Sequence, residues 1–350
     1  MALVGYINSQ TPGHILNCYE SFFGGNLITF PCIEPPPVDK IQCMVCRKPM
    51  DFIMQLYCPI GDSKYHRTLY IFVCINGPCQ SSGNNWKVLR SQYLIKFDQD
   101  SQSKPCTNWG AENENDSSDG ESWGQDADKG SKTHCKIENS NEQSSSLNGR
   151  FQCYSVDIYE DTTITTTSTS HTTEPEIDTA YHDDDDIEVN SSSPSIKNIL
   201  SKWSEKVLID QEFIEEDDNT GPESFSDGLL SHIANRGEYG CEDIRYWWSG
   251  QPIFNGLPPS DLVNYSTCHR CGSERVFELQ IFSTINNSLK VSTLLNDELD
   301  GLNVSWLLNI VTVLIFTCRS SCWSSTTDDW IEECIIVQTD KNVTKIICPS

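Results

Sequence analysis

One pattern of cysteines and strand-forming residues occurs twice in this chain, and no other feature constrains its fold as much. Cys43-Met-Val-Cys46 leads into Phe52-Ile-Met-Gln-Leu-Tyr57; the chain returns through Leu69-Tyr-Ile-Phe-Val73, and Cys74 and Cys79 close the unit. Near the other end, Cys268-His-Arg-Cys271 leads into Val276-Phe-Glu-Leu-Gln-Ile-Phe282, and Val311-Thr-Val-Leu-Ile-Phe-Thr317 delivers Cys318 and Cys322. Laid over each other, Cys43, Cys46, Phe52, Gln55, Leu56 and Tyr57 fall without a gap on Cys268, Cys271, Phe277, Gln280, Ile281 and Phe282. Agreement of this kind reads as an internal duplication. The expectation is a mainly β protein, with minor helix, built from two duplicated β-rich modules that carry Cys-x-x-Cys knuckles.

A Cys-x-x-Cys on a tight turn presents two thiolates on one side of the backbone, and a second pair brought across a hairpin completes a tetrahedral site. The candidate metal ligands are Cys43, Cys46, Cys74 and Cys79 in the first module, and Cys268, Cys271, Cys318 and Cys322 in the second. Zinc is the expected ion and its role structural, because four thiolates leave no position for a substrate water. Two other chemistries remain open. A redox dithiol should precede a helix in a βαβ setting, which neither pair does; buried, unmetallated thiols in a β core are the other possibility. His66, eight residues before Cys74, suggests a Cys/His nucleophile pair, but no oxyanion glycine turn or orienting carboxylate stands nearby. It reads as a packed or hydrogen-bonding histidine.

Four segments follow from the rest of the chain. Residues 1–97 form the first module: Gly24-Gly25 permits a turn and Pro35-Pro-Pro37 an extended scaffold, and from residue 41 apolar and polar residues alternate between turns at Pro59, Gly61-Asp62, Gly77-Pro78 and Gly83-Asn84. Residues 98–195 are rich in Ser, Thr, Asn, Asp and Glu, poor in apolar side chains, and include four consecutive aspartates at 183–186. Such a stretch buries too little to offset its ordering entropy, so a long disordered acidic linker is expected. Cys106, Cys135 and Cys153 lie in it without pair spacing. Residues 196–238 start with a short amphipathic helix, in which Leu200, Trp203, Val207 and Ile209, followed by acids, have the spacing of a leucine-rich nuclear export signal or of a helix docked on a module. Residues 239–350 form the second module.

Charge narrows the function. Lys and Arg number 24 against 50 Asp and Glu, a net charge of −26, which repels phosphate backbones and attracts basic partners. The aromatics Trp86, Tyr246, Trp247, Trp248, Trp306 and Trp323 therefore read as core or as a protein-binding face rather than as base-stacking platforms. The N-terminus lacks a basic region followed by a long apolar run, and the apolar stretch 306–316 is about half the roughly 20 residues a spanning helix needs. A soluble intracellular protein is expected, with no membrane and no direct nucleic-acid partner. In that compartment 17 cysteines favour metal sites over disulfides. No phosphate-binding glycine loop or His-Glu-x-x-His helix occurs, and no enzyme is expected.

The succession Gly24-Gly25, Cys43-x-x-Cys46, Gln55-Leu56-Tyr57, Tyr65-His66-Arg67, Phe72-x-Cys74 and Trp86-Lys-Val-Leu-Arg-Ser-Gln92 resembles the N-terminal half of the programmed cell death protein 2 family. Arg245-Tyr246, Ser249-Gly-Gln-Pro252, Cys268-x-x-Cys271, Phe277-Glu-Leu-Gln280, Phe316-Thr-Cys318 and Ser321-Cys-Trp323 resemble its C-terminal half. The middle is unmatched, and the MYND finger of classical members has no counterpart here, so the likeness is to the shorter branch. Phe23 stands where family chains usually have lysine, and 303–310 looks longer than the family's approach to Cys318. The resemblance implies a non-enzymatic, dedicated chaperone and adaptor. Its client would be a basic small-subunit ribosomal protein, the eukaryotic counterpart of bacterial protein five. It would follow that client into pre-ribosomal particles, shuttle between cytoplasm and nucleus, and meet a nuclear export receptor. The alternative reading is a zinc-ribbon-type regulator acting in transcription or nucleic-acid complexes; an oxidoreductase using one Cys-x-x-Cys is a third.

Overall fold

Aromatic and β-branched residues in alternation form long antiparallel strands in both modules, and the strands of both modules belong to one sheet. The computed structural model describes residues 2–8, 10–61, 63–95, 149–161, 229, 232, 242–290, 308–324, 327–339 and 343–349. Its strands are β1 (Leu3–Ile7), β2 (Phe22–Phe23), β3 (Asp51–Tyr57), β4 (Tyr65–Val73), β5 (Trp86–Leu94), β6 (Tyr154–Glu160), β7 (Ile244–Tyr246), β8 (Arg275–Phe282), β9 (Thr312–Cys318), β10 (Ile331–Glu332), β11 (Cys334–Gln338) and β12 (Thr344–Ile347). The sheet order is β10-β5-β4-β3-β2-β6-β1-β7-β8-β9-β11-β12. The expectation of a mainly β protein with cysteine knuckles holds.

The duplication is visible in this order. Read outward from the centre, β6-β2-β3-β4-β5 runs one way and β1-β7-β8-β9-β11 the other. Even the irregularities repeat: β3 is bulged between Phe52 and Met54 against β4, and β8 between Phe277 and Leu279 against β9. In the first bulge the carbonyl of Ile53 accepts the Gly24 N–H, and in the second that of Glu278 accepts the Trp247 N–H, both at 2.8 Å. Bulges left in matching places are designed bends, and here they curl both halves. The curl nearly closes the sheet. Ile331 and Glu332 pair with Arg90 and Leu89 of β5, Glu333 N–H donates to the Val88 carbonyl, and from Cys334 the same segment pairs with β9.

One apolar core fills the curled sheet. Leu69, Ile71 and Val88 from the first half meet Leu279, Ile281, Val313, Ile315, Ile335 and Val337 from the second. Each such side chain contributes about 1.5–3 kcal/mol when fully buried. Strand β9 is buried at every residue because its outer face is covered too: Leu314 and Phe316 pack with Phe254, Leu262, Phe277, Cys334 and Ile336. The matched glutamines of the overlay hold such covering segments. The Gln280 side-chain amide bonds both the N–H and the carbonyl of Ile253, and Gln55 accepts the Ile28 N–H and donates to the Glu20 carbonyl.

The acidic linker expected over 98–195 needs a correction at its centre. Tyr154–Glu160 is strand β6, paired with β1 on one side and β2 on the other, and it joins the two halves. Tyr154, Val156 and Ile158 turn toward the core while Ser155, Asp157 and Tyr159 alternate with them. Seven residues of alternation are easily lost in a polar stretch. Linker residues 98–148 and 162–195, the helix expected from 196 with Leu200, Trp203, Val207 and Ile209, and 303–307 lie outside the described residues. The two modules belong to one compact unit.

Candidate metal centres

Each knuckle is a tight return built by the backbone. Cys43 N–H donates to the Lys48 carbonyl and Arg47 N–H to the Cys43 carbonyl; in the copy, Cys268 N–H donates to Ser273 and Gly272 N–H to Cys268, all within 2.7–3.0 Å. The turn needs one left-handed residue. Gly272 takes it at φ 73° without cost to a side chain, whereas Arg47 takes it at φ 61°. The second pairs arrive from the ends of β4 and β9. Cys74 follows β4 and Cys79 sits in the short helical turn Gly77–Gln80; Cys318 ends β9, and Cys322 follows Ser321, itself at φ 43°.

The eight cysteines singled out in the sequence come together in two groups. Cys43, Cys46, Cys74 and Cys79 form one group and Cys268, Cys271, Cys318 and Cys322 the other, with all sulfurs of a group within 4.8 Å of one another. A tetrahedron of thiolates about 2.3 Å from a metal has edges near 3.8 Å. The Sγ distances match it: Cys46 to Cys74 is 3.7 Å, Cys268 to Cys322 is 3.8 Å and Cys271 to Cys318 is 3.5 Å. Each group could hold one metal ion. At one sulfur of each group a backbone amide favours the thiolate form. The Lys48 N–H lowers the Cys46 thiol to about 7, and at Cys271 burial works the other way but the Ser273 N–H and neighbouring thiols hold it below its usual value. Burial raises the remaining shifted thiols, Cys79 to about 11 and Cys74, Cys318 and Cys322 as well. A dication held by the four sulfurs would reverse that trend.

Residues that sequence reasoning did not connect surround the second centre. Arg67 of β4 and Glu278 of the β8 bulge are fully buried and form a two-pronged pair, with Arg67 Nη2 2.7 Å from Glu278 Oε2. Burial opposes the guanidinium charge, but the facing Glu278 carboxylate more than offsets this and raises the Arg67 pKa. Thr317 Oγ1 donates to the same carboxylate at 2.5 Å. Beside it, Arg90 of β5 bonds Glu333 and Gln92, and its Nη2 donates to the Cys322 carbonyl at 3.0 Å. Ser321, one residue from a metal ligand, accepts from Arg67 Nε at 3.1 Å and donates to Gln92 at 2.5 Å. Trp248 and Trp323 lie under the Arg67 and Arg90 guanidinium groups. The first centre touches the other half more lightly, through Gln80, whose Oε1 accepts the Asn309 N–H at 2.6 Å.

Other expected residues settle as scaffold. Tyr57 Oη and His66 Nδ1 are hydrogen-bonded at 2.8 Å, Trp86 is buried, and Trp247 stacks under Arg245. Among the described residues, cysteine usage also includes a disulfide between Cys334 of β11 and Cys348 beyond β12, where metal sites rather than disulfides were expected.

Arg67, Arg90, Gln92, Glu278 and Ser321 to Trp323 thus meet at one place although they come from both ends of the chain. The N-terminal domain model of programmed cell death protein 2 matches residues 2–106 and the C-terminal putative domain model residues 238–339. The chain belongs to the programmed cell death protein 2 family. Similar curated proteins bear the name programmed cell death protein 2-like: the human protein is 26% identical, covering 91% of this chain and 90% of its own length, and the chicken protein is 27% identical, covering 91% and 89%. No solved structure gives a significant match. The polar layer joins the second cysteine group to the opposite half.

Proposed function

We propose that the chain is a dedicated carrier for a basic small-subunit ribosomal protein, the eukaryotic counterpart of bacterial protein five. It keeps that client soluble and accompanies it into pre-ribosomal particles and nuclear export. The observation that carries this reading is charge. Of the 50 Asp and Glu, 29 lie in 96–148 and 162–241, against only 9 of the 24 Lys and Arg. Two strongly acidic stretches of the chain suit a client whose own surface is built to neutralise phosphates. Family membership supports the same reading.

In this account both cysteine groups hold structural zinc, four thiolates each, and no catalysis is involved. The chain shuttles between cytoplasm and nucleus, with Leu200, Trp203, Val207 and Ile209 read by an export receptor. Co-expression with the client tests the reading: the client stays soluble only with the chain, and less so when the acids of 162–195 are exchanged for their amides. Client solubility that is the same with and without the chain contradicts it.

A further inference from the structure

The acidic surplus does not extend to the N-terminal half. Residues 1–95 hold seven Lys and Arg against five Asp and Glu, whereas residues 242–350 hold seven against thirteen. Three of the seven N-terminal cations, Lys40, Arg47 and Lys48, stand on or beside the first knuckle, and no acid lies between 40 and 48. All three are exposed, and among the described residues their side chains make no ion pair. At the tip between the two cysteines, Met44 is 52% and Val45 44% exposed.

The duplication shows what such a tip takes. In the second knuckle His269 and Arg270 occupy the places of Met44 and Val45. Arg270 donates two hydrogen bonds to the Asp328 carboxylate, both 2.8 Å, and the Ser324 N–H holds that carboxylate at 2.7 Å. An acidic loop of its own half therefore already covers the second tip. No acidic loop does the same for the first among the described residues.

We infer that the tip formed by Lys40, Met44, Val45, Arg47 and Lys48 docks a short acidic segment of a partner protein. Its carboxylates meet the three cations, Arg47 in the forked manner of Arg270, and its aliphatic side chains cover Met44 and Val45. The tip residues include no aromatic ring to stack a base, and a chain of net charge −26 repels a long polyanion. A short peptide is different, because it feels mainly charges within about 8 Å at physiological salt. The inference stands independently of the carrier reading and gives the molecule a second, oppositely charged kind of partner.

Fluorescence anisotropy on the full chain tests it, with a labelled peptide of Asp, Glu and Leu, a copy carrying Asn and Gln instead of the acids, and oligouridine as probes. The acidic peptide binds, its neutral copy does not, and a Lys40→Glu, Arg47→Glu, Lys48→Glu variant weakens binding at least about tenfold. Arg270→Ala leaves binding unchanged. Lys48→Glu alone, at an exposed position, weakens binding in the same direction should the triple variant lose its fold. Equal binding of the neutral copy, or unchanged affinity in the charge-reversed variants, overturns the inference. Tighter binding of oligouridine overturns it in favour of nucleic acid, and tighter peptide binding once the aspartates 183–186 are changed to Asn overturns it in favour of the chain's own acidic stretch.

Discussion

The knuckles at Cys43 and Cys268 return through the same hydrogen bonds and the same left-handed position, yet their surroundings have diverged. Around the second, Ser321 and Cys322 are bonded by Arg67, Arg90 and Gln92 of the opposite half, and Arg270 is covered by Asp328. The first ends in a cationic tip that no acidic loop covers among the described residues, and it reaches across through Gln80. Duplication has kept the backbone turn and the four cysteines of each knuckle, and has let the surroundings specialise. One centre fastens the closure of the sheet, while the other faces outward.

The largest effect should come from loss of a ligand at the fastening centre. Structural zinc contributes on the order of 10 kcal/mol to folding in small domains. With Cys318→Ser, hydrogen exchange should accelerate in β4 and β5 as well as in β8 and β9, because the loop presented to Arg90 is lost. With Cys46→Ser, acceleration should stay largely within 41–95. Equal spreading in both variants would break the comparison.

Next comes the pair inside the polar layer. Glu278→Ala strands a buried guanidinium and should cost about 3–5 kcal/mol in urea unfolding, and adding Arg67→Met should recover most of it. A loss under about 1 kcal/mol would mean that the halves do not depend on this pair. Smaller still is the turn itself. Arg47→Gly should stabilise, and Gly272→Ala destabilise, each by about 1 kcal/mol or less, since open space surrounds Gly272 and only the backbone conformation is at stake. Arg270→Ala should cost at most about 1 kcal/mol, as a partly exposed pair does.

Much of this was legible in the sequence, for physical reasons that differ by element. Cysteine spacing anticipated both cysteine groups because a knuckle is local and its second pair begins at a strand end. The strands β3, β4, β8 and β9 followed from alternation. Strand β6 was hidden because its partners, residues 3–7 and 22–23, lie far back in the chain and its own apolar side chains number only a few. Charged residues inside apolar runs, Arg67 in β4, Arg90 in β5 and Glu278 in β8, were a visible signal, since such side chains are buried only when paired. Which one pairs with which is a matter of sheet closure across more than two hundred residues, and a single sequence does not contain that register.

The claim beneath the comparison is that both cysteine groups are metal centres. Native mass spectrometry of the full chain, purified without chelator or added metal, measures this directly. Two zinc ions per chain, with all eight thiols slow to alkylate until the metal is stripped, are the predicted result. A metal-free chain whose thiols react at once would contradict it.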